Sequence, residues 1–226
     1  MTEIEGRIRA AVNDAKSRKD GGEQPPMVGV LTGDERDSWT KVSHLSRLSS
    51  CQNREKLLHL STRNRENFNS ISTSLIALSL DPYTIPSVTD DDPLRAAAVD
   101  AQTRNASCGL DGGHNRWLDK AISVMVETNG RTSLLGEHSP VDAIVPSNIV
   151  NSAVAEPFDG KAFGKSATAV PQEGDGWRRL DWVVDEAMTQ EIGECQERNK
   201  AIIADSDNSN LLWGEFATEW IKQNGM

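Results

Sequence analysis

The residue types best spaced to do chemistry in this sequence stand in one short stretch. Residues 129–143, NGRTSLLGEHSPVDA, place His138 between Glu137 and Ser139, with Asp142 four residues on. Imidazole accepts a proton near neutral pH, so a histidine at a strand end that opens on a cleft suits general-base work. The same residue also reads as a polar group where a strand leaves its sheet. Strand period two sets Thr132, Leu134, Gly136 and His138 on one face, with Ser133, Leu135 and Glu137 on the other. Glu137 is therefore a poor partner for His138, whereas Asp142, past the bend at Pro140, can return toward the ring.

Other candidates carry less chemistry. His44 and His59 sit among Leu, Ser and Lys residues of helical character, and His114 lies in a Gly-rich turn. The histidines share no metal-ligand spacing, so no metal site is expected. Ser72, Thr73 and Ser74 lack the GxSxG surround of an activated serine and read as structural. The stretch GKAFGKS resembles part of a phosphate loop, but the interval before its Gly-Lys-Ser is too short. Lys222 reads, on its own, as a solvated helix residue.

Composition narrows the partners. With 24 Lys and Arg against 34 Asp and Glu, the net charge of -10 disfavours a nucleic-acid backbone, and no nucleic-acid partner is expected. A local anion site for a nucleotide-like group stays compatible with that balance. Cys51, Cys108 and Cys195 are scattered and odd in number, which fits neither a disulfide framework nor a CxxC metal site and points to a reducing, intracellular compartment. No organelle is indicated. The N-terminal residues lack a signal-peptide core, and no segment has the apolar length of a membrane span.

The elements that must position His138 follow from periodicity and turn chemistry. Ile4, Ile8 and Val12 predict an amphipathic N-terminal helix, and GGEQPP breaks it. MVGVLT then reads as a short strand, followed by a helix capped at Thr32 or Asp34 with Trp39, Val42 and Leu45 on one face. QNREKLLHL and RNRENFNSI share an Asn-Arg-Glu unit, which does not amount to a repeat fold. Phe68, Ile71, Leu75 and Leu78 predict a helix whose tail, LIALSL, can equally be extended; the helix is preferred. Residues 81–113 read as a long connection holding one short helix at PLRAAAVDAQ. Two strands around ETNG form a hairpin, because Asn129-Gly130 supplies the left-handed conformations of a tight turn. A helix begins near Pro146, residues 159–176 read as a linker, and WRRLDWVVD alternates as a strand. Met188, Ile192 and Cys195 open another amphipathic helix reaching toward Ile203.

The span NRWLDKAISVMVETNGRTSLLGEHSPVDA resembles the active-site signature of the choline/carnitine O-acyltransferases: an Asn-Arg-Trp-x-Asp-Lys strand, a hairpin, then Glu-His-Ser. The resemblance continues in VLTGDERDSWTKV, NRENFNSISTSLIALSLD, RLDWVVDEAMTQEIGECQERNKAIIADSD and GEFATEWIKQ, in family order. It is stronger to carnitine acetyltransferase-like members. It implies an α/β fold, part of a two-domain chloramphenicol-acetyltransferase-like architecture with a mixed sheet and flanking helices. On that basis residues 1–26 form an N-terminal helix and linker, 27–172 end the first domain with the catalytic-histidine hairpin, and 173–226 begin the second.

By the same resemblance His138 is the general base that takes the proton from the carnitine hydroxyl or the coenzyme A thiol. Asp142 orients it or joins a charge network, and Lys222 contacts a coenzyme A phosphate. Asn115, Arg116, Trp117 and Asp119 fix the hairpin. Acyl-coenzyme A and carnitine are substrates, and no tightly bound cofactor is implied. Thr218 stands where a second family Lys is expected. The family's Ser-Thr-Ser oxyanion segment follows the histidine, so Ser72 to Ser74 do not correspond to it. With that later half missing, the chain alone is expected to be inactive as an O-acyltransferase. The alternative is a non-catalytic binding or assembly module that associates with another chain, or a truncated family fragment.

Overall fold

A computed structural model of the 226-residue chain describes residues 2–39, 53–84, 86, 92–109, 113–157, 159–162, 171–174, 176–207, 209–210 and 217–225. Its helices are α1 (Thr2–Asp20), α2 (Arg36–Trp39), α3 (Asn53–Leu60), α4 (Thr62–Thr73), α5 (Arg95–Cys108), α6 (Ile144–Ala155), α7 (Glu186–Asp205) and α8 (Ala217–Gln223). Strands β1 (Ala77–Leu80), β2 (Ile122–Val126) and β3 (Thr132–Gly136) form one mixed sheet in the order β1-β2-β3. The expected α/β class, a mixed sheet with flanking helices, is therefore what the chain adopts.

The hairpin stands where the turn chemistry put it. β2 and β3 run antiparallel, with Ile122 opposite Gly136 and Val126 opposite Thr132. Gly130 takes φ +83°, a conformation that glycine reaches without Cβ strain. β1 lies parallel to β2, Ala77 opposite Ser123. Parallel neighbours need a crossover, and α5 provides it while packing on β3. α5 is longer than the short helix expected, running on to Cys108 and ending at Gly109 with φ +66°.

A second centre of burial lies away from the sheet. Val28, Val30, Leu31, Trp39, Leu57, Met188, Ile192 and Cys195 pack together, with Phe68, Trp117 and Trp182 against them. Met188, Ile192 and Cys195 are the apolar face expected of α7, which Asp185 caps by accepting a hydrogen bond from the Met188 N–H at 2.7 Å. Burial pushes the Cys195 thiol up to about 12, so this cysteine is a small core residue and not a nucleophile.

Three expectations resolve differently, two of a strand and one of a helix. MVGVLT is a 3-10 turn (Val28–Gly33), not a strand, because the carbonyl of Val30 accepts from the side chains of Cys195 and Asn199 on α7 in place of a ladder partner. Gly29 allows this close docking: a Cβ there would sit 2.3 Å from the Arg116 carbonyl oxygen. LIALSL is not the tail of a helix. α4 ends at Thr73, where Ser74 turns extended, and residues 77–80 pair with β2. WRRLDWVVD is not a ladder strand either, since its backbone is held by side chains of α4. Asn64 accepts from the Val183 N–H at 2.9 Å and donates to the Val183 carbonyl at 2.7 Å, and Asn67 donates to the Asp181 carbonyl at 3.0 Å.

Of the two cap candidates, Asp34 accepts from the Glu35 N–H at 2.9 Å, just ahead of α2. The Thr32 hydroxyl bridges the Gly29 carbonyl and the Leu118 N–H, and Asp34 pairs with Arg198 of α7 at 2.6 Å. α6 begins at Ile144, two residues before Pro146, which is tolerated in a first turn because the N–H it lacks would have no intrahelical acceptor there. Val42, His44, Leu45, Cys51 and most of the GKAFGKS stretch lie outside the described residues.

Candidate functional site

The hairpin that ends in His138 is anchored by a buried polar knot at its base. Asp81 follows β1 and Arg116 precedes β2, and their side chains are 0% and 1% exposed. The guanidinium donates to both carboxylate oxygens of Asp81, at 2.9 and 3.0 Å, and to the carbonyls of Asn115, Asn105 and Ala106. Two of those carbonyls belong to the last turn of α5, so one cation caps the crossover helix while bonding the sheet. Asn115 and Asn105 also donate to Asp81. Burial would push the Asp81 carboxyl up, but the hydrogen bonds and charge of Arg116 outweigh it and hold the group below the usual carboxylate range. A buried pair satisfied in this way tolerates no loss of either partner.

The rest of the Asn-Arg-Trp-x-Asp-Lys unit is likewise committed to anchoring. Trp117 stacks on Trp182 with centroids 6.0 Å apart and meets Trp39 edge-on. Asp119 accepts from the Trp39 indole N–H at 3.1 Å. The buried Lys120 ammonium donates to the carbonyls of Ile71 and Ser72, at 2.8 and 3.2 Å, and so neutralises the C-terminal end of α4.

Beyond this base, β3 ends at Gly136 and the chain turns through His138 into α6. The Glu137 N–H extends the sheet by donating to the Ala121 carbonyl, and the Glu137 carboxylate accepts from the backbone and hydroxyl of Ser139. Glu137 is thus turned to Ser139 and does not pair with His138, the poor partner that the alternation of faces predicted. Asp142 accepts from the Ala143 N–H, and its carbonyl accepts from Val145 at the start of α6. The imidazole of His138 is exposed and makes no hydrogen bond or ion pair among the described residues, including with Asp142.

The ring stands at a groove of about 550 Å³ lined by Leu134, Gly136, Val141, Pro146, Ser147, Val150 and Asn151 among others. A Cβ on Gly136 would lie 3.3 Å from Pro146 Cγ, so the glycine keeps this wall open. Ser147 is spent on the Ala143 carbonyl. What remains is an unengaged imidazole beside apolar carbon, an arrangement able to accept a proton from a hydroxyl or thiol lying in the groove.

The other candidates are placed elsewhere. Lys222 is exposed on α8 and paired with Glu219 at 3.3 Å. Ser72, Thr73 and Ser74 donate back to carbonyls of their own helix, and His59 bonds the Glu55 carbonyl. Among the described residues no group of three His, Cys, Asp or Glu could hold a metal, and no helix is long and apolar enough to cross a membrane. Asp81, Lys120 and the buried asparagines escaped the sequence reading because their partners lie far along the chain and share no period with them.

Comparison with known proteins gives one consistent result. The sequence model of the Choline/Carnitine o-acyltransferase family matches residues 1–226. The choline O-acetyltransferase of Mus musculus is 26% identical over 202 residues, covering 89% of this chain and 28% of that protein. The carnitine O-acetyltransferase of Rattus norvegicus is 23% identical over 195 residues, covering 86% of the chain and 28% of its own length. A highly reducing polyketide synthase of Aspergillus luteorubrus is 29% identical over 170 residues, covering 75% of the chain and 4% of the synthase. The chain therefore spans less than a third of the length of each of these relatives.

Proposed function

We propose a function that starts from an established membership: the chain belongs to the choline/carnitine O-acyltransferase family. Its chemistry is acyl transfer, and the reading we favour is transfer of an acetyl or other short acyl group between coenzyme A and carnitine. His138 serves as the general base. Toward acylcarnitine, the imidazole takes the proton of the alcohol as its oxygen attacks the thioester carbonyl. The new C–O bond forms, the C–S bond breaks, and the proton passes to the departing thiolate. The observation that carries this reading is the unengaged, exposed imidazole of His138 at the mouth of an apolar groove.

Asp142 contributes to this reading as a nearby anion, one short turn from the ring, and Lys222 as a cation for a coenzyme A phosphate. The described residues give the groove one wall, and water reaching His138 competes with the acyl acceptor. Turnover by the chain alone is expected to be very low. A second wall, from a further acyltransferase domain or an associated chain, would complete the site.

The test combines transfer and binding. Proton NMR of the His138 ring, assigned by loss of its signal in His138→Ala, is expected to shift on addition of carnitine or acetyl-coenzyme A. Choline serves as the competing acceptor. Thiol release from acetyl-coenzyme A is expected to be weak and to vanish in His138→Ala. Efficient transfer that survives His138→Ala, or a His138 signal indifferent to every substrate, would sink the assignment.

A further inference from the structure

We propose that Asn151 is a specificity-determining residue of the His138 groove, and that it selects an acyl group carrying a hydroxyl several carbons away from the thioester carbonyl. The inference rests on His138 as the general base and extends the substrate from acetyl to a longer, oxygen-bearing chain. Two elements build the groove. Leu134, Gly136 and His138 line it from one face of β3 and its continuation, and Pro146 of α6 stands against Gly136. Val150 and Asn151, one turn along α6 from Pro146 and Ser147, line the same cleft.

Each part of the substrates requires a different lining. A quaternary ammonium is held by a carboxylate or an aromatic face, and neither lines the groove among the described residues. The pantetheine arm of coenzyme A carries two amides, each with a donor and an acceptor to satisfy. The groove's side chains offer too few partners for it. The Ser147 hydroxyl already donates to the Ala143 carbonyl at 2.8 Å, and His138 is reserved for the proton, which leaves the Asn151 amide. An acyl chain needs chiefly carbon around it, and Leu134, Val141, Pro146 and Val150 supply that. The Asn151 side chain makes no hydrogen bond among the described residues. It follows Pro146 by five residues, on the order of 8 Å further along the helix axis, so a thioester carbonyl at His138 sets the amide beside a later carbon of the chain. A hydroxyl on that carbon meets both halves of the amide, donating to Oδ1 and accepting from Nδ2. A plain hydrocarbon chain displaces water from the amide and returns nothing, and the difference between the two is the selectivity.

Isothermal titration calorimetry of the full chain tests this. ω-Hydroxyhexanoyl-coenzyme A is expected to bind about three- to tenfold more tightly than hexanoyl-coenzyme A. Asn151→Leu, at an exposed helix position, is expected to keep the far-ultraviolet circular dichroism and abolish that preference, while free coenzyme A binds both proteins alike. Equal affinities for the two thioesters in the wild-type chain, binding of neither, or a preference that survives Asn151→Leu overturns the proposal. So does weaker binding of free coenzyme A by Asn151→Leu, which would assign the amide to the pantetheine arm. His138→Ala separates this inference from the general-base reading, because it is expected to remove transfer and keep the hydroxyacyl preference. An absent preference with transfer still dependent on His138 refutes the role of Asn151 alone. Transfer indifferent to His138→Ala, with the preference intact, refutes only the base. Should Asn151→Leu fail to fold, the wild-type comparison of the two thioesters decides.

Discussion

Single asparagines do more in this protein than their composition suggests. Asn64 is fully buried, and its amide stands in for a neighbouring strand by meeting both the N–H and the carbonyl of Val183 while also donating to the Leu57 carbonyl at 2.8 Å. An amide is the one side chain that presents a donor and an acceptor with backbone geometry. Asn64→Ala is expected to cost about 3 kcal/mol in urea unfolding, because it strands buried polar groups on two segments at once. Asn64→Asp should be no better, since it turns an acceptor toward two carbonyl oxygens. An Asn64→Ala chain with an unchanged urea midpoint would show that water replaces the amide without loss. His138 is the contrasting residue: its ring is exposed and nothing in the described structure holds it.

At the scale of elements, the β2–β3 hairpin is the most locally determined part of the molecule. Its turn needs a positive φ at Gly130, and a Cβ built there meets nothing within 4 Å, so any penalty for substitution is backbone strain and not a clash. Gly130→Val is therefore expected to lose about 1–2 kcal/mol in thermal or urea unfolding, whereas Gly130→Asn, whose side chain tolerates the left-handed region, loses much less. Equal losses for the two variants would mean the turn is held by contacts and not by conformation. α6 presents the opposite case. It is apolar, none of its described residues is buried, and it borders the His138 groove. An element of that composition left uncovered is the strongest structural support for a second wall.

For the molecule as a whole, the Asp81–Arg116 knot joins the end of β1, the C-terminus of α5 and the approach to β2, so its charge state is felt globally. The folded state holds the Asp81 carboxyl below its usual range. Its contribution is accordingly complete above about pH 4, the ordinary carboxylate value, and is lost as pH falls through the lowered folded value. Asp81→Asn is expected to be less stable by about 3–5 kcal/mol at neutral pH, because Arg116 is left buried without its counter-charge. That gap should narrow in acid. Urea midpoints of the two proteins at pH 7 and pH 3 would test this, and a constant gap would rule out the ion pair as its source. The features legible along the chain are those whose causes are local: the face of α7 set by Met188, Ile192 and Cys195, the glycine turn of the hairpin, and the alternation that separates Glu137 from His138. The family motif was legible too, though not the roles of Arg116 and Lys120 within it. Tertiary structure alone decided the 3-10 turn at Val28–Gly33, the side-chain-paired segment after Trp177, and the exposure of Ile4 and Ile8 on α1. Short apolar or alternating runs share one pattern whether they pair with a strand, a helix side chain or nothing, and the partner that settles it, as with Asn64 and Val183, stands 119 residues away.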